Sequence, residues 1–389
     1  MTARRGSPRL VGLVADDLTG ATDSAVQFAE AGWSAHLLRG PGSAPEITDS
    51  GSSLLAVVTG VRSVAAEVAA ERTATAVEEL LAHGCERLYL KIDSTVRGSV
   101  AGQLRGALAA WGAAHPGAAA LLCPAFPDQG RTVVGGQVLV DGVPVARTAA
   151  AADPVTPVLD SRLERLVPGA TATTLADLGD DRNAAPIAFV DAVTDADLAA
   201  VAACVDGLGP AWVPAGSAGL AAAMARRWSA GPSRSRTARR PCARILVGVS
   251  SLHPIALSSV ERLRDVMAAG GVRHRPAVDV ITTPAARADA AAVAAGFGDR
   301  VADQLAKAPY DALVLVGGDG AAAALDRAGA TAITVYSALA PGVPIGTIVG
   351  GAAHGARVVT KSGGFGDADS LIHIIDRLQS DAAPRKEPS

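Results

Sequence analysis

Leu88-Tyr89-Leu90-Lys91-Ile92-Asp93-Ser94-Thr95-Val96-Arg97-Gly98 begins as an apolar run, turns abruptly polar, and leads into the helix-compatible segment Ser99 to Ala110. A strand that feeds a helix through a charged turn is the repeating unit of an α/β protein. At such a junction the free N–H groups and positive dipole end of the helix face whatever the turn carries. An anion bound here would meet Lys91, Arg97 and the amides together, with Asp93 and the Ser94 and Thr95 hydroxyls beside it. A purely local alternative is that Ser94 or Thr95 caps the helix and the charges are solvated.

The same strand, polar turn and helix pattern recurs on both sides of this stretch. Upstream, Leu10-Val11-Gly12-Leu13-Val14 reads as a buried parallel strand. It runs into Asp16-Asp17-Leu18-Thr19-Gly20-Ala21-Thr22-Asp23, with a helical pattern from about Ser24 to Ala31. Paired acids at the carboxyl end of a strand lie where open α/β sheets bind ligands. One could act as general base or bind substrate hydroxyls while the other orients it or holds a metal-bound water. Locally, Asp17, Thr19 or Asp23 could instead simply cap that helix. The strand Leu54 to Val58 releases Arg62 from its end, and Ala118 to Cys123 leads to Pro124-Ala125-Phe126-Pro127 and Arg131. Phe126 is an apolar wall for a ligand or a plug on the core. Gln137 to Val145 alternates around Asp141-Gly142, a type I′ hairpin signal, which makes it a flap over the site or a homodimer contact.

After Ile187 to Val190 and Trp212 to Pro214, with a helix to Trp228, the Ser-, Pro- and Arg-rich stretch 229–243 lacks periodicity and reads as a linker. This divides the chain into residues 1–228, the linker, residues 244–378 and a polar tail 379–389. In the second part Arg244 to Val249 precedes Ser250-Ser251-Leu252-His253-Pro254. Ala312 to Val316 runs into Gly317-Gly318-Asp319-Gly320, and Ala356 to Thr360 into Lys361-Ser362-Gly363-Gly364-Phe365-Gly366-Asp367. Glycines let the backbone approach phosphates, and the following helix start supplies amides. His253 is either a phosphate or substrate contact or an incidental loop histidine.

Composition agrees with an α/β fold and narrows the function. The 389 residues are 49% hydrophobic but only 3% aromatic, a mix of Ala-rich helices and Val/Leu strands. A net charge of −3 with both signs scattered argues against nucleic acid as a partner. Four separated cysteines, and an N-terminus without an apolar core ahead of Asp16-Asp17, lead to the expectation of a cytoplasmic protein without a signal peptide or membrane span. Gly318-x-Gly320-x-x-Ala323 formally matches a dinucleotide fingerprint. The following strand, Ala332 to Val335, ends at Tyr336-Ser337 without the acid that motif needs for the ribose. No P-loop, metal-spaced Cys/His set or G-x-S-x-G is present.

Taken in order, Asp16-Asp17-Leu18-Thr19-Gly20-Ala21, Lys91 to Gly98, Pro124-Ala125-Phe126-Pro127, Gly317-Gly318-Asp319 and Lys361 to Gly366 resemble the motifs of the four-carbon acid sugar kinase family, over Leu10 to Leu378. The resemblance implies an N-terminal domain that binds the sugar acid and a C-terminal domain that binds ATP, with the active-site cleft between them. It implies transfer to the terminal hydroxyl of threonate, erythronate or 3-oxo-tetronate. ATP contacts are implied at Ser250 or Ser251, at Gly317, Gly318, Asp319 and Gly320, and at Gly364, with Lys361 and Gly363 in the same turn. Substrate contacts are implied at Asp16, Asp17, Arg62 and the Lys91 to Gly98 segment. The chain departs from the family pattern at Gly320, where a threonine is common, and at Gly60, in a region that often carries an acid.

On this reading Arg62, Lys91 and Arg97 pair with the substrate carboxylate. One of Asp16, Asp17 and Asp93 takes the proton of the attacking hydroxyl, and Mg²⁺ with the glycine turns holds the triphosphate. An NAD-dependent hydroxy-acid dehydrogenase using Gly318 to Ala323, and a sugar-acid sensor that has lost transfer, are the alternatives.

Overall fold

The structure is a computed structural model and describes residues 8–39, 52–153, 155–178, 186–229, 240–269, 277–283 and 290–380. Most of the expected linker and tail lie outside these residues. The chain divides into two units, Met1–Ala35 with Glu46–Ser233 and His36–Pro45 with Arg234–Ser389.

In the first unit the order is β1 (Leu10–Ala15), α1 (Leu18–Glu30), β2 (Ser34–Leu38), β3 (Ser53–Val58), α2 (Ala66–Ala82), β4 (Arg87–Lys91), α3 (Val100–Ala114) and β5 (Ala119–Cys123). There follow β6 (Arg131–Val134), β7 (Gln137–Val140), β8 (Val143–Pro144), the single turn α4 (Leu163–Leu166), β9 (Ala170–Ala172), β10 (Ile187–Phe189), α5 (Asp195–Leu208), β11 (Trp212–Gly216) and α6 (Ala218–Trp228). The unit boundary falls within β2.

The central strands are ordered β3-β1-β4-β11-β5-β10-β9 and run parallel throughout. Their near-continuous apolar sequences are what a sheet covered on both faces requires. The chain leaves β1 for β3 on one side and then crosses to β4 on the other. Strand order therefore reverses between β1 and β4, and the crevice outside the carboxyl ends at such a reversal is where open parallel sheets bind ligands. The turns after β1 and β4 carry Asp16-Asp17 and Ile92 to Ser99.

Helix α3 is fixed by close approach to α2. A Cβ at Gly102 or Gly106 would stand 2.3 Å and 2.0 Å from the carbonyl oxygens of Ala66 and Ala70, so only glycine permits this crossing. Helix α1 starts at Leu18, well before the Ser24 start read from the sequence, because the Asp17 side chain accepts from Gly20 N–H at 2.7 Å and caps it. Strands β6, β7 and β8 form a separate antiparallel sheet. Asp141 (φ 50°) and Gly142 (φ 77°) turn β7 into β8 with the two positive φ values of a type I′ turn.

The second unit contains β12 (Arg244–Val249), α7 (Pro254–Ala268), β13 (Ala277–Thr282), α8 (Ala290–Lys307), β14 (Ala312–Val316), α9 (Gly318–Arg327), β15 (Ala332–Ala340), β16 (Val343–Val349), β17 (Arg357–Lys361) and α10 (Ser370–Gln379). The strand order is β13-β12-β14-β17-β16-β15, with β16 antiparallel to both neighbours and the others parallel where they pair. Order reverses between β12 and β14, so their carboxyl ends form the corresponding crevice. Among the described residues no helix is long and apolar enough to cross a membrane.

Candidate functional site

Six charged side chains from three strand ends meet at the β1/β4 reversal. Asp16 is fully buried, and Asp17, Lys91 and Asp93 are nearly so. Arg62, in the turn after β3, donates from Nε to Asp16 Oδ2 at 2.7 Å. Its Nη1 lies 2.9 Å from Asp17 Oδ2 and its Nη2 3.7 Å from Asp93 Oδ1. Arg97 grips Asp93 in a two-pronged pair, Nη2 to Oδ1 at 2.7 Å and Nε to Oδ2 at 3.0 Å. Its Nη1 reaches Asp153 Oδ2 at 3.1 Å. One guanidinium thus bridges three carboxylates and a second is held between two.

The turn that makes this possible is strained. Val96 sits at φ 61°, a left-handed conformation rare for a β-branched residue. Its N–H donates to Asp93 O at 2.9 Å. Gly98 follows at φ 82°, and a Cβ there would stand 2.5 Å from Arg62 O and 3.1 Å from Arg62 Cα. Gly98 therefore serves as the surface on which the Arg62 backbone rests. Neither Ser94 nor Thr95 caps α3, since the helix starts at Val100. Thr95 bonds through its N–H (3.1 Å) and hydroxyl to Asp93 Oδ2. Gly60 is exposed at φ 63°, with no atom within 4 Å of where a Cβ would stand.

Lys91 extends over the first turn of α1 and donates to Ile92 O at 2.7 Å. A Cβ at Gly20 would stand 3.0 Å from its Nζ, so Gly20 keeps that path open. Burial raises the pKa of Asp16 against the lowering pull of Arg62, with Asp17 adding to the rise. Asp17 is also pushed up by burial, but Arg62, Lys91 and the bonds from Thr19 and Gly20 outweigh this and hold it low. For Asp93, burial is overcome by Arg97 and Arg62, which keep it well below the usual carboxylate range. Asp23, considered from sequence only as a cap, faces the same cluster. Burial lifts it to about 6 against the attraction of Lys91. Asp16 Oδ1 and Asp23 Oδ1 are buried without a hydrogen-bond partner.

A cavity of about 320 Å³ opens beside the cluster. Arg62, Arg97, Ser63 and Ser99 line it together with Val155–Val158 and Leu166. Phe126 is not among its lining residues. Its ring packs on α6, where a Cβ at Gly219 would stand 2.9 Å from Cδ2, and its backbone pairs with Arg131 in a β-bridge. Asp153 escaped the sequence reading, having no signal of its own. Asp23 had one, lying one helical turn beyond Gly20 on the same face.

In the second unit three strand ends bring the glycine turns together. Ser250 Oγ donates to Val316 O at 3.1 Å. A Cβ at Gly317 (φ 105°) would stand 2.5 Å from Ser250 Oγ, and one at Gly320 would stand 2.2 Å from Ser250 Cβ. The departure from threonine at Gly320 is therefore a packing consequence of Ser250. A Cβ at Gly363 would collide with Ser251 Oγ at 1.9 Å, and one at Gly364 would lie 3.4 Å from His253 Nε2. His253 caps α7 by accepting from Ile255 N–H at 3.3 Å. Gly317, the N-cap of α9, has no side chain to supply a cap, and a helix start of this kind suits an anion. Lys361, 1% exposed, donates to Ser362 O at 3.1 Å, and burial lowers its ammonium to about 8 against the pull of Asp367. The dinucleotide alternative loses its structural basis. β15, which follows α9, is separated from β14 by β17 and β16, whereas the fingerprint belongs to a βαβ unit of adjacent strands.

A family model described as a sugar-binding N-terminal domain matches residues 11–224, and one described as a nucleotide-binding C-terminal domain matches residues 255–371. The chain is 38% identical to a D-threonate kinase of Bordetella bronchiseptica, over 95% of this chain and 97% of that one. It is 26% identical to a 3-oxo-tetronate kinase of Burkholderia multivorans, over 98% and 100% of the two chains. A crystal structure from Bordetella bronchiseptica, 38% identical and covering 96% of this chain and 99% of its own, superposes with a TM-score of 0.51. It is described as a domain-swapped dimer with bound citrate.

Proposed function

The chain belongs to the four-carbon acid sugar kinase family, phosphotransferases with an alcohol group as acceptor, and on that premise we propose that it transfers the γ-phosphate of ATP to the terminal (C4) hydroxyl of a four-carbon sugar acid, with threonate the first candidate. Residues 1–228 take the sugar acid and residues 244–378 the nucleotide. The observation that carries the proposal is the Asp16, Asp17, Asp93, Arg62 and Arg97 cluster at the strand reversal, with one acid still open to a proton. Arg97 and Lys91 attract the substrate carboxylate, which also competes with the aspartates for Arg62. Drawing Arg62 aside uncovers Asp16, whose raised pKa and unpartnered Oδ1 make it the proton acceptor. Asp17 is committed to capping α1, and Asp93 to holding Arg97.

Ser250, Ser251, the Gly317–Gly320 turn, Lys361, Gly363 and Gly364 hold the nucleotide. Among the described residues no group of three or more His, Cys, Asp or Glu side chains forms a metal site. A Mg²⁺ that rides on the phosphates needs only one or two protein carboxylates. Asp319 in the first turn of α9 fits that demand and would hold it. The ion would neutralise phosphate charge. The bound citrate of the relative supports a carboxylate-binding site, and the same proposal takes the assembly to be a homodimer.

The test is ADP release with Mg-ATP over D- and L-threonate, D- and L-erythronate and the 3-oxo acid, with the mass of the product. One added phosphate on one or two acids is expected. Saturable acid binding without ADP release would replace the kinase by a sensor. In Asp16→Asn, turnover is expected to fall by about 10²- to 10⁴-fold with ADP binding retained, and near-normal turnover would remove Asp16 from the proton transfer.

A further inference from the structure

Resting on the sugar-acid reading of the first unit, we infer that Asp153 and the Val155–Val158 segment form the wall that discriminates among sugar-acid epimers, with Asp153 acting through Arg97 as a positioning residue. Asp153 uses its two oxygens for different tasks. Oδ1 accepts from Val155 N–H at 3.0 Å and Thr156 N–H at 2.8 Å and so shapes the turn. Oδ2 pairs with Arg97 Nη1 at 3.1 Å and so ties that turn to the charged cluster. The segment is anchored at its far end by Val158 N–H to Ala150 O at 3.0 Å.

The chemistry of the wall is uneven. The side chains of Val155, Pro157 and Val158 offer nothing to a hydroxyl, whereas that of Thr156 does, and the cations Arg62 and Arg97 line the same cavity. An acid whose carboxylate lies on the cations has its carbon chain laid across this surface. A hydroxyl directed at the buried Val158 side chain loses its water without gaining a partner, while its epimer directs that hydroxyl elsewhere. An apolar surface rejects a hydroxyl by only about 100-fold, and the Thr156 hydroxyl adds to this when the wrong epimer leaves it without a partner. Because Arg97 is oriented by Asp93 on one side and Asp153 on the other, the wall and the carboxylate anchor keep a fixed separation. That separation sets which carbon faces which residue.

Asp153→Asn tests this directly, since the amide oxygen can still accept from Val155 and Thr156 while the negative charge facing Arg97 is lost. Calorimetric binding of the threonate and erythronate epimers without nucleotide, together with kcat and KM for each, gives the readout. Expected are a roughly tenfold weaker acid Kd, a ratio of epimer affinities that collapses toward one, and an unchanged ADP Kd. Thr156→Val, which keeps the backbone turn, is expected to change the epimer ratio without the general loss. An epimer ratio within twofold of wild type in both variants would overturn the inference, as would a lowered melting temperature with that ratio intact. Wild-type protein that binds acids but releases no ADP sinks the kinase reading while the binding ratios still decide the wall. Wild-type protein that binds none of the acids overturns both.

Discussion

Replacing Gly98 by alanine places a methyl group where the structure has the backbone of Arg62. The added Cβ would stand 2.5 Å from Arg62 O and 3.1 Å from Arg62 Cα, and backbone cannot rotate away as a side-chain tip can. Two costs add. Holding alanine at φ 82° costs about 1–2 kcal/mol, and forcing the packed backbones apart costs about 1–3 kcal/mol more. The sum, about 2–5 kcal/mol, corresponds to a melting temperature lower by roughly 4–20 °C for a unit of this size. Gly60→Ala is the matched control. It has a similar φ of 63° but no atom within 4 Å of a Cβ, so only the first cost applies, with a fall of about 2–8 °C. The functional consequence differs more sharply. Relief of the overlap moves Arg62, whose pairs at 2.7 Å and 2.9 Å organise Asp16 and Asp17, and a displacement of about 1 Å at such a site lowers turnover by about 100-fold. Thermal unfolding and steady-state ADP release on the two variants give the comparison. Equal melting temperatures and equal turnover for Gly98→Ala and Gly60→Ala would refute the claim that Gly98 supports Arg62.

Two further outcomes follow from the charges. Arg62→Ala strands buried carboxylates and is expected to cost about 3–5 kcal/mol at pH 7. Since a carboxylate whose folded pKa lies above its unfolded value loses stability as pH rises between the two, the variant should be relatively more stable at pH 5 than at pH 7, and denaturant unfolding at both values checks the sign. For Lys361, with its ammonium lowered to about 8, ADP affinity should be greatest below that pH and decline as pH rises through it; Lys361→Met should bind weakly and without this decline, and a parallel pH profile in both proteins would remove Lys361 from the phosphate site.

Much of the layout was legible from local chemistry. Buried apolar runs such as Leu10–Ala15, Arg87–Lys91 and Ala312–Val316 announce parallel strands, and each ends in a polar or glycine turn that is on the page without any structure. The Asp141-Gly142 hairpin was equally plain, because two consecutive positive φ values demand those residue types. Helix α8 carries a weaker signal, its buried face marked only by Phe297, Val301 and Leu305 at every fourth residue among small and polar ones. Strand β16 was hidden because Pro344 and Gly346 break a strand-like pattern, and only pairing with β15 and β17 on both sides secures it.

The order of residues alone settles which turns carry charge and which carry glycine, since both follow from residue type at a strand end. Strand order lay beyond it. Whether Asp16, Arg62 and Asp93 become neighbours depends on β3 and β4 settling on opposite sides of β1, a pairing between segments distant along the chain. The role of each charge was likewise decided in three dimensions. Asp16 and Asp17 are adjacent and chemically identical, yet one is left with a free oxygen and a raised pKa while the other caps a helix and is held low. That difference arises from burial and from the direction of Arg62, Lys91 and the α1 amides, quantities that no spacing along the chain contains.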